Sequence, residues 1–307
     1  MKNHISLLFL LLSISAGAQT VAERLGYPAG TKLLIIHADD IGVSHSENEA
    51  TMKAYDKGAI SSGSIMVPCP WLPEVGVYAK AHPNVDVGLH LTLTAEWRDY
   101  KWGGASARTE IPSLVNDRGF FPDNSADVAK NAKLAEVEKE LRAQVERAKQ
   151  FGIDITHFDS HMGSVFTTPE LLKLYIRLGH EYKVPVMLHD QFAKPLLGAE
   201  YNTLITKNDV VTDMIYMANP PDYQKGMKNF YSEVFGGMKP GLNVLLIHLA
   251  FDESEMKAVT IDHPDYGAAW RQADYDFITS DECKKVLAEN NIKVIGWKEV
   301  RDKIVRK

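Results

Sequence analysis

The 307-residue chain contains two cysteines, Cys69 and Cys283. Two residues so far apart make neither a disulfide framework nor a cysteine-based zinc motif. In an oxidising compartment they could pair, or stay as two separate structural thiols. The chain also lacks a basic block. Its 34 Lys and Arg are outnumbered by 40 Asp and Glu, for a formal net charge of −6. That balance argues against a nucleic-acid or anionic-membrane partner. No short repeat, low-complexity tract or interdomain linker is visible, which leaves one large globular unit as the simplest organisation. About 45% of the residues are hydrophobic, enough to bury a full core.

The first 18 residues differ from the rest. Lys2 precedes an apolar run, Ile5 to Ile14, and Ala16-Gly17-Ala18 follows with small side chains. This is the order of a secretory signal peptide. The run is too short to span a bilayer comfortably. A buried N-terminal strand is the alternative. The expectation is therefore a signal peptide at 1–18 and one domain at 19–307, exported to a periplasm or the cell exterior, with no integral span after signal removal. No cysteine stands at the expected cleavage point to carry a lipid anchor.

Strand-like and helix-like segments alternate along the remainder. Lys32 to His37 is a continuous apolar run, as expected of a strand buried on both faces. Glu47 to Lys57 reads as a helix, with Ser44 or Ser46 as cap and Gly58 as stop. Ser61 to Val67 and Val85 to Leu91 read as strands. In the segment Leu134 to Phe151, apolar residues recur at steps of three and four, and Gly152 closes the helix. Ile153 to Phe158, Val184 to Leu188, Asn243 to His248 and Lys293 to Ile295 complete the predicted strands. Pro169 to Tyr182 and Ser280 to Glu289 complete the predicted helices. Such alternation predicts an α/β fold with a parallel sheet, open or closed into a barrel. Residues 94–131 interrupt the rhythm and carry Trp97, Tyr100, Trp102, Phe120 and Phe121. They read as an insertion whose rings either stack on sugars or form a small core of their own.

Chemistry-bearing residues fall where strands end. Asp39 and Asp40 follow the first strand, His90 ends the third, His161 follows the next, and His248 ends a later one. In a parallel α/β fold these ends share one face. Taken singly, each has a plainer reading. The aspartates could cap a helix or make a turn before Gly42, and a lone histidine could be a hydrogen-bonded core residue. His37 reads as a strand residue, and His157 and Asp159 as sheet residues or partners of a ligand. Together they suggest a metal site. Two histidines and one carboxylate leave coordination positions open for water and substrate. If Asp40 binds the metal, Asp39 stays free as a base, and a histidine opposite can protonate the leaving group.

Four blocks carry a more specific signal: 33–44 (LLIIHADDIGVS), 58–67 (GAISSGSIMV), 87–94 (VGLHLTLT) and 156–161 (THFDSH). With these the chain resembles the YdjC-like carbohydrate deacetylases, the family that includes chitooligosaccharide deacetylase. The resemblance implies a distorted, TIM-like (β/α) barrel with an irregular strand number. It implies a divalent metal, zinc or magnesium, on Asp40, His90 and His161, with Asp39 as general base. It further implies His248 as acid or transition-state contact and Arg271 near the site. Trp97 and Trp102 join Arg271 as candidate substrate contacts. Two motifs depart from the family: Gly163 stands where a second histidine is usual, and His248-Leu249-Ala250 replaces His-Pro-Gly. Both departures lie where substrate would be read.

The expected activity is hydrolysis of an acetyl group from an N-acetylated sugar or oligosaccharide, the acetylated carbohydrate being the partner. Alternatives are O-deacetylation or another amide or ester hydrolysis, and a catalytically silent, exported carbohydrate-binding protein. A homodimer is compatible with the sequence.

Overall fold

The computed structural model describes residues 19–307. The signal peptide expected at 1–18 lies outside the described residues. Among these, no helix is long and apolar enough to cross a membrane.

Seven strands form one parallel sheet: β1 (Lys32–Ile41), β2 (Ser62–Ile65), β3 (Val87–Leu91), β4 (Ile155–Ser160), β5 (Met214–Met217), β6 (Gly241–Ile247) and β7 (Ile292–Val294). The lateral order is β4-β3-β2-β1-β6-β5, with β7 on β1. β1 is the central stave. It pairs with β6 from Lys32 to Ala38, with β7 at its start and with β2 beyond His37. The ring is completed by bridges rather than by a full strand. Phe158 of β4 pairs with Val186, and His189 pairs with Thr212, just before β5. Residues 184–188, expected as a strand, make isolated bridging contacts only, to Phe158 on one side and through the Leu188 carbonyl to Thr212 on the other. Pro185 has no N–H to give to a ladder, which limits the pairing there. The outcome is the distorted barrel with irregular strand number.

Alternation along β1 divides the core. Leu33 and Ile35 pack with Leu242, Val244, Ile295 and Trp297. Leu34, Ile36 and Ala38 face the opposite way, onto Ala50 and Ala54 of the helix His45–Asp56 and onto Trp270 and Phe277. Ser44 caps that helix, its hydroxyl accepting from the Glu47 N–H. The periodic helices come out as Leu134–Gln150 and Pro169–Tyr182. Short or half-exposed elements escape a pattern search, β5 among them, since Met214 and Met217 are exposed.

The insertion at 94–131 is packed down. Trp97, Trp102, Ile111, Leu114 and Phe121 join the core that holds Leu141 and Val145 of the helix Leu134–Gln150. The buried Glu140 carboxylate accepts from the Ala105 and Ser106 N–H groups at 2.8 and 2.9 Å. Cys69 and Cys283 are buried and unpaired.

Candidate metal centre

Adjacent residues of a regular strand point to opposite faces, so Asp39 and Asp40 should not share a site. The backbone resolves this. Between Ala38 and Ile41 the chain takes three steps, while β2 takes two from Gly63 to Ile65. One extra residue makes a bulge, a device that re-aims side chains. Asp40 occupies the left-handed region at φ 64°, which aspartate tolerates better than most residues. Gly63 stands opposite because a Cβ there would lie 2.8 Å from the Ala38 carbonyl oxygen. Asp39 and Asp40 consequently both turn toward His248. Its Nε2 is 4.0 Å from one Asp39 oxygen and 3.9 Å from one Asp40 oxygen. The strand thus runs through the pair instead of ending before it.

Asp40, His90 and His161 offer ligand atoms within 4.8 Å of one another, all from buried side chains. Asp40 Oδ1 lies 3.5 Å from His90 Nε2 and 3.3 Å from His161 Nδ1. That oxygen is buried and has no hydrogen-bond partner among the described residues. An orphaned buried carboxylate oxygen is costly, and a cation is the group that would satisfy it. The other nitrogen of each imidazole is engaged away from Asp40. His90 Nδ1 meets Asp159 at 2.9 Å, and His161 Nε2 meets Glu96 at 2.9 Å. A carboxylate behind each histidine fixes its ring and presents the remaining nitrogen to a metal. Two nitrogens and one oxygen suit a divalent ion with positions left open. The other His/Asp groupings, His37-His157-Asp159 and Asp39-His90-Asp159, share Asp159, whose two oxygens are already bonded to His37 and His90.

Charge follows from these contacts. Burial works against ionisation of Asp40, but Arg271 and His161 outweigh it and hold the carboxyl well below its usual range. Burial likewise opposes protonation of His161, yet Glu96 and Asp40 lift it to about 10. Burial pushes His248 down to about 4, Asp40 opposing and Arg271 reinforcing the shift. His248 is therefore neutral at pH 7. Its backbone N–H donates to Asp274 at 3.2 Å, which fixes where the ring starts.

The structure assembles Asp39, Asp40, His90, His161 and His248 on one rim of the barrel. Three other candidates, Arg271, Trp97 and Trp102, are buried beside it. Arg271 is 2% exposed. Its guanidinium donates to Asp40 Oδ2 and Glu47 Oε2, both at 2.8 Å, and to the Tyr266 carbonyl at 2.7 Å. With its donors so used, Arg271 holds a ligand carboxylate. Trp97 and Trp102 are 3% and 4% exposed and pack edge to face on each other. Trp102 Nε1 donates to the Thr94 carbonyl, and Trp97 lies under the Arg271 guanidinium. Both rings pack beside the site, Trp102 with its centroid 6.2 Å from that of His161. Gly163 sits at φ 61° in the turn after His161, a conformation that favours glycine.

Four functional neighbours were not legible as such. Glu96 lies in the insertion, with no pattern linking it to His161. Glu47 reads as an ordinary first-turn acid of its helix. Ser64 is a strand serine, 2.8 Å from Asp159. His37, taken as a strand residue, is fully buried with its Nε2 3.0 Å from Asp39 and 2.9 Å from Asp159. Burial opposes its protonation, but Asp159 and Asp39 raise it to about 10.

Comparison with known proteins agrees with this geometry. Residues 33–289 match the profile described as YdjC-like protein. A carbohydrate deacetylase of Thermus thermophilus is 32% identical over 286 residues, covering 91% of this chain and 97% of the relative. A carbohydrate deacetylase of Thermoanaerobacter pseudethanolicus is 25% identical over 268 residues, covering 87% and 98%. Among solved structures, an Enterococcus faecalis protein named provisionally for cellobiose-phosphate cleavage superposes with a TM-score of 0.72 at 23% identity. It covers 88% of this chain and 99% of its own, a likeness of fold.

Proposed function

The chain belongs to the YdjC-like family, and from that premise we propose that it is an exported, metal-dependent deacetylase of N-acetylated sugars or short oligosaccharides. The observation that carries this reading is the buried, unpartnered Asp40 oxygen between two outward-anchored histidines, with a second carboxylate, Asp39, left outside the donor set. Asp40 Oδ1, His90 Nε2 and His161 Nδ1 would hold the ion, with zinc the best match to the donors and magnesium the second. When bound, that ion supplies a Lewis acid for the acetyl carbonyl and lowers the pKa of water.

The rest of the chemistry falls to side chains. Asp39 takes the proton of the attacking water. His248, neutral at rest, has no proton to spare; at 4.0 Å it is too far from Asp39 for direct transfer, so the proton Asp39 takes reaches it through a bridging water and goes on to the departing amine. The amide C–N bond breaks; water's oxygen and one hydrogen leave in acetic acid, and its other hydrogen leaves on the amine nitrogen. Arg271 keeps Asp40 ionised throughout.

Acetate release from N-acetylated mono- and oligosaccharides tests the proposal, with the protein stripped of metal and reloaded with zinc or magnesium. Metal-dependent acetate is expected from at least one sugar. Asp39→Asn should lower turnover by roughly 10²–10⁴-fold with metal still bound; near-native turnover would remove Asp39 as the base. Acetate only from O-acetyl esters would mean O-deacetylation. Neither acetate nor metal binding would leave a carbohydrate-binding protein.

A further inference from the structure

His37 is the last residue of β1 to alternate with Leu33 and Ile35 before the bulge, and like them it is buried. Packing alone would be served there by another aliphatic side chain. Instead an imidazole stands among polar atoms. Its Nε2 is 2.9 Å from Asp159 Oδ2, 3.0 Å from Asp39 Oδ1 and 3.2 Å from Ser64 Oγ. Ionised carboxylates only accept, so Nε2 carries a hydrogen shared between the two. Ser64 has one hydroxyl hydrogen, and its nearer acceptor is Asp159, 2.8 Å against 3.4 Å to Asp39. The short partner of Asp39 Oδ1 is therefore His37. Asp39 Oδ2 is left facing His248.

The ring itself is wedged. His157 meets it edge-on with centroids 4.9 Å apart, and Trp297 stacks on His157 from the far side at 5.5 Å. Asp159, meanwhile, uses its other oxygen on His90 Nδ1 at 2.9 Å. One N–H thus ties the carboxylate beside the metal ligands to the carboxylate behind one of them.

We infer that His37 is a positioning residue for the deacetylation, its Nε2–H clamping Asp39 Oδ1 so that Oδ2 alone is aimed at the reacting water, and registering Asp39 against the Asp159–His90 pair. This rests on the reading of Asp39 as the base. A base misplaced by about 1 Å can lose ~10²-fold in rate without loss of substrate binding.

Wild type, His37→Leu, His37→Gln and Asp39→Asn together test it. His37→Leu removes the donor, and His37→Gln returns a neutral N–H close to the position of Nε2. With zinc bound one to one, His37→Leu should lower kcat about 100-fold with KM changed less than about threefold, and His37→Gln should recover at least tenfold. A His37→Leu kcat within threefold of wild type, or a loss seen in KM alone, overturns the assignment. Because a leucine there strands two buried carboxylates, a second readout uses folded protein only. The wild-type imidazole spectrum should contain a downfield ring N–H, protected from solvent exchange and absent from His37→Gln, that shifts in Asp39→Asn. An unshifted signal overturns the clamp. Wild-type protein that releases no acetate from any sugar refutes the deacetylase reading instead, and the ring N–H still reports on the clamp.

Discussion

Replacing Arg271 with methionine removes the cation on which the Asp40 carboxylate leans. The volume is kept, but Asp40 Oδ2, Glu47 Oε2 and the Tyr266 carbonyl lose donors now at 2.7 to 2.8 Å. Both carboxylates are nearly inaccessible, so water does not replace the lost partner. Breaking a buried ion pair from one side costs about 3–5 kcal/mol. At roughly 2–4 °C per kcal/mol for a domain of this order of size, the metal-free variant should melt about 6–20 °C lower. The pH dependence gives the sign. Asp40 is held well below its ordinary pKa, so its pairing stabilises the fold above the unfolded-state value and is lost as pH falls through the folded one. The gap between wild type and variant is therefore largest at neutral pH and above, and narrows on acidification as the stranded Asp40 takes a proton; Glu47, raised to about 8 by burial against the pull of Arg271, is already largely protonated at neutral pH. Circular dichroism melts of both proteins in chelator, from pH 8 to pH 4.5, make the measurement. A shift under 2 °C at pH 7, or a gap that widens toward acid, would refute the argument.

Asp159→Asn should weaken zinc binding roughly 10–100-fold, since the acceptor behind His90 loses its charge; chelator competition measures it, and unchanged affinity removes Asp159 from that role. Trp102→Phe should lower stability by about 1–3 kcal/mol, the Thr94 carbonyl having lost its donor, while leaving KM within about twofold. A tenfold rise in KM would instead put this ring against the sugar. The metal-free protein should lose stability as pH rises from neutrality through about 10. His37 and His161 are both raised to about 10, so their protons stabilise the fold fully below the ordinary histidine value and are lost above the raised one. Zinc should remove the His161 share of that loss, and melting curves across pH with and without zinc report it; a flat metal-free profile would contradict the buried pairings.

Much of this was readable from local pattern. The run Lys32 to His37 announces a doubly buried strand because such strands have no polar face to show. The 3.6-residue periodicity of 134–151 and the Pro169 start of the next helix mark elements whose stability comes from one apolar face. The residues Asp39, Asp40, His90, His161 and His248 were legible because a parallel barrel brings strand ends to one rim. β5 was not, being short and half exposed, and residues 184–188 looked more regular than Pro185 allows.

Sequence alone determined the alternation of strands and helices and which strand ends carry metal-ligating side chains, for these follow from residue type and spacing. Which way those side chains point was decided only by the tertiary structure. The β1 bulge swings Asp40 onto the same side as Asp39, a matter of register between two strands. Arg271 lies 231 positions from Asp40 and Glu96 lies 65 from His161, and no local rule joins residues so far apart. The same holds for Trp97 and Trp102, whose rings the folded insertion turns inward. Contacts of this kind exist only once the chain has closed on itself, because burial, and with it the strength of each charge pair, is a property of the whole packed barrel.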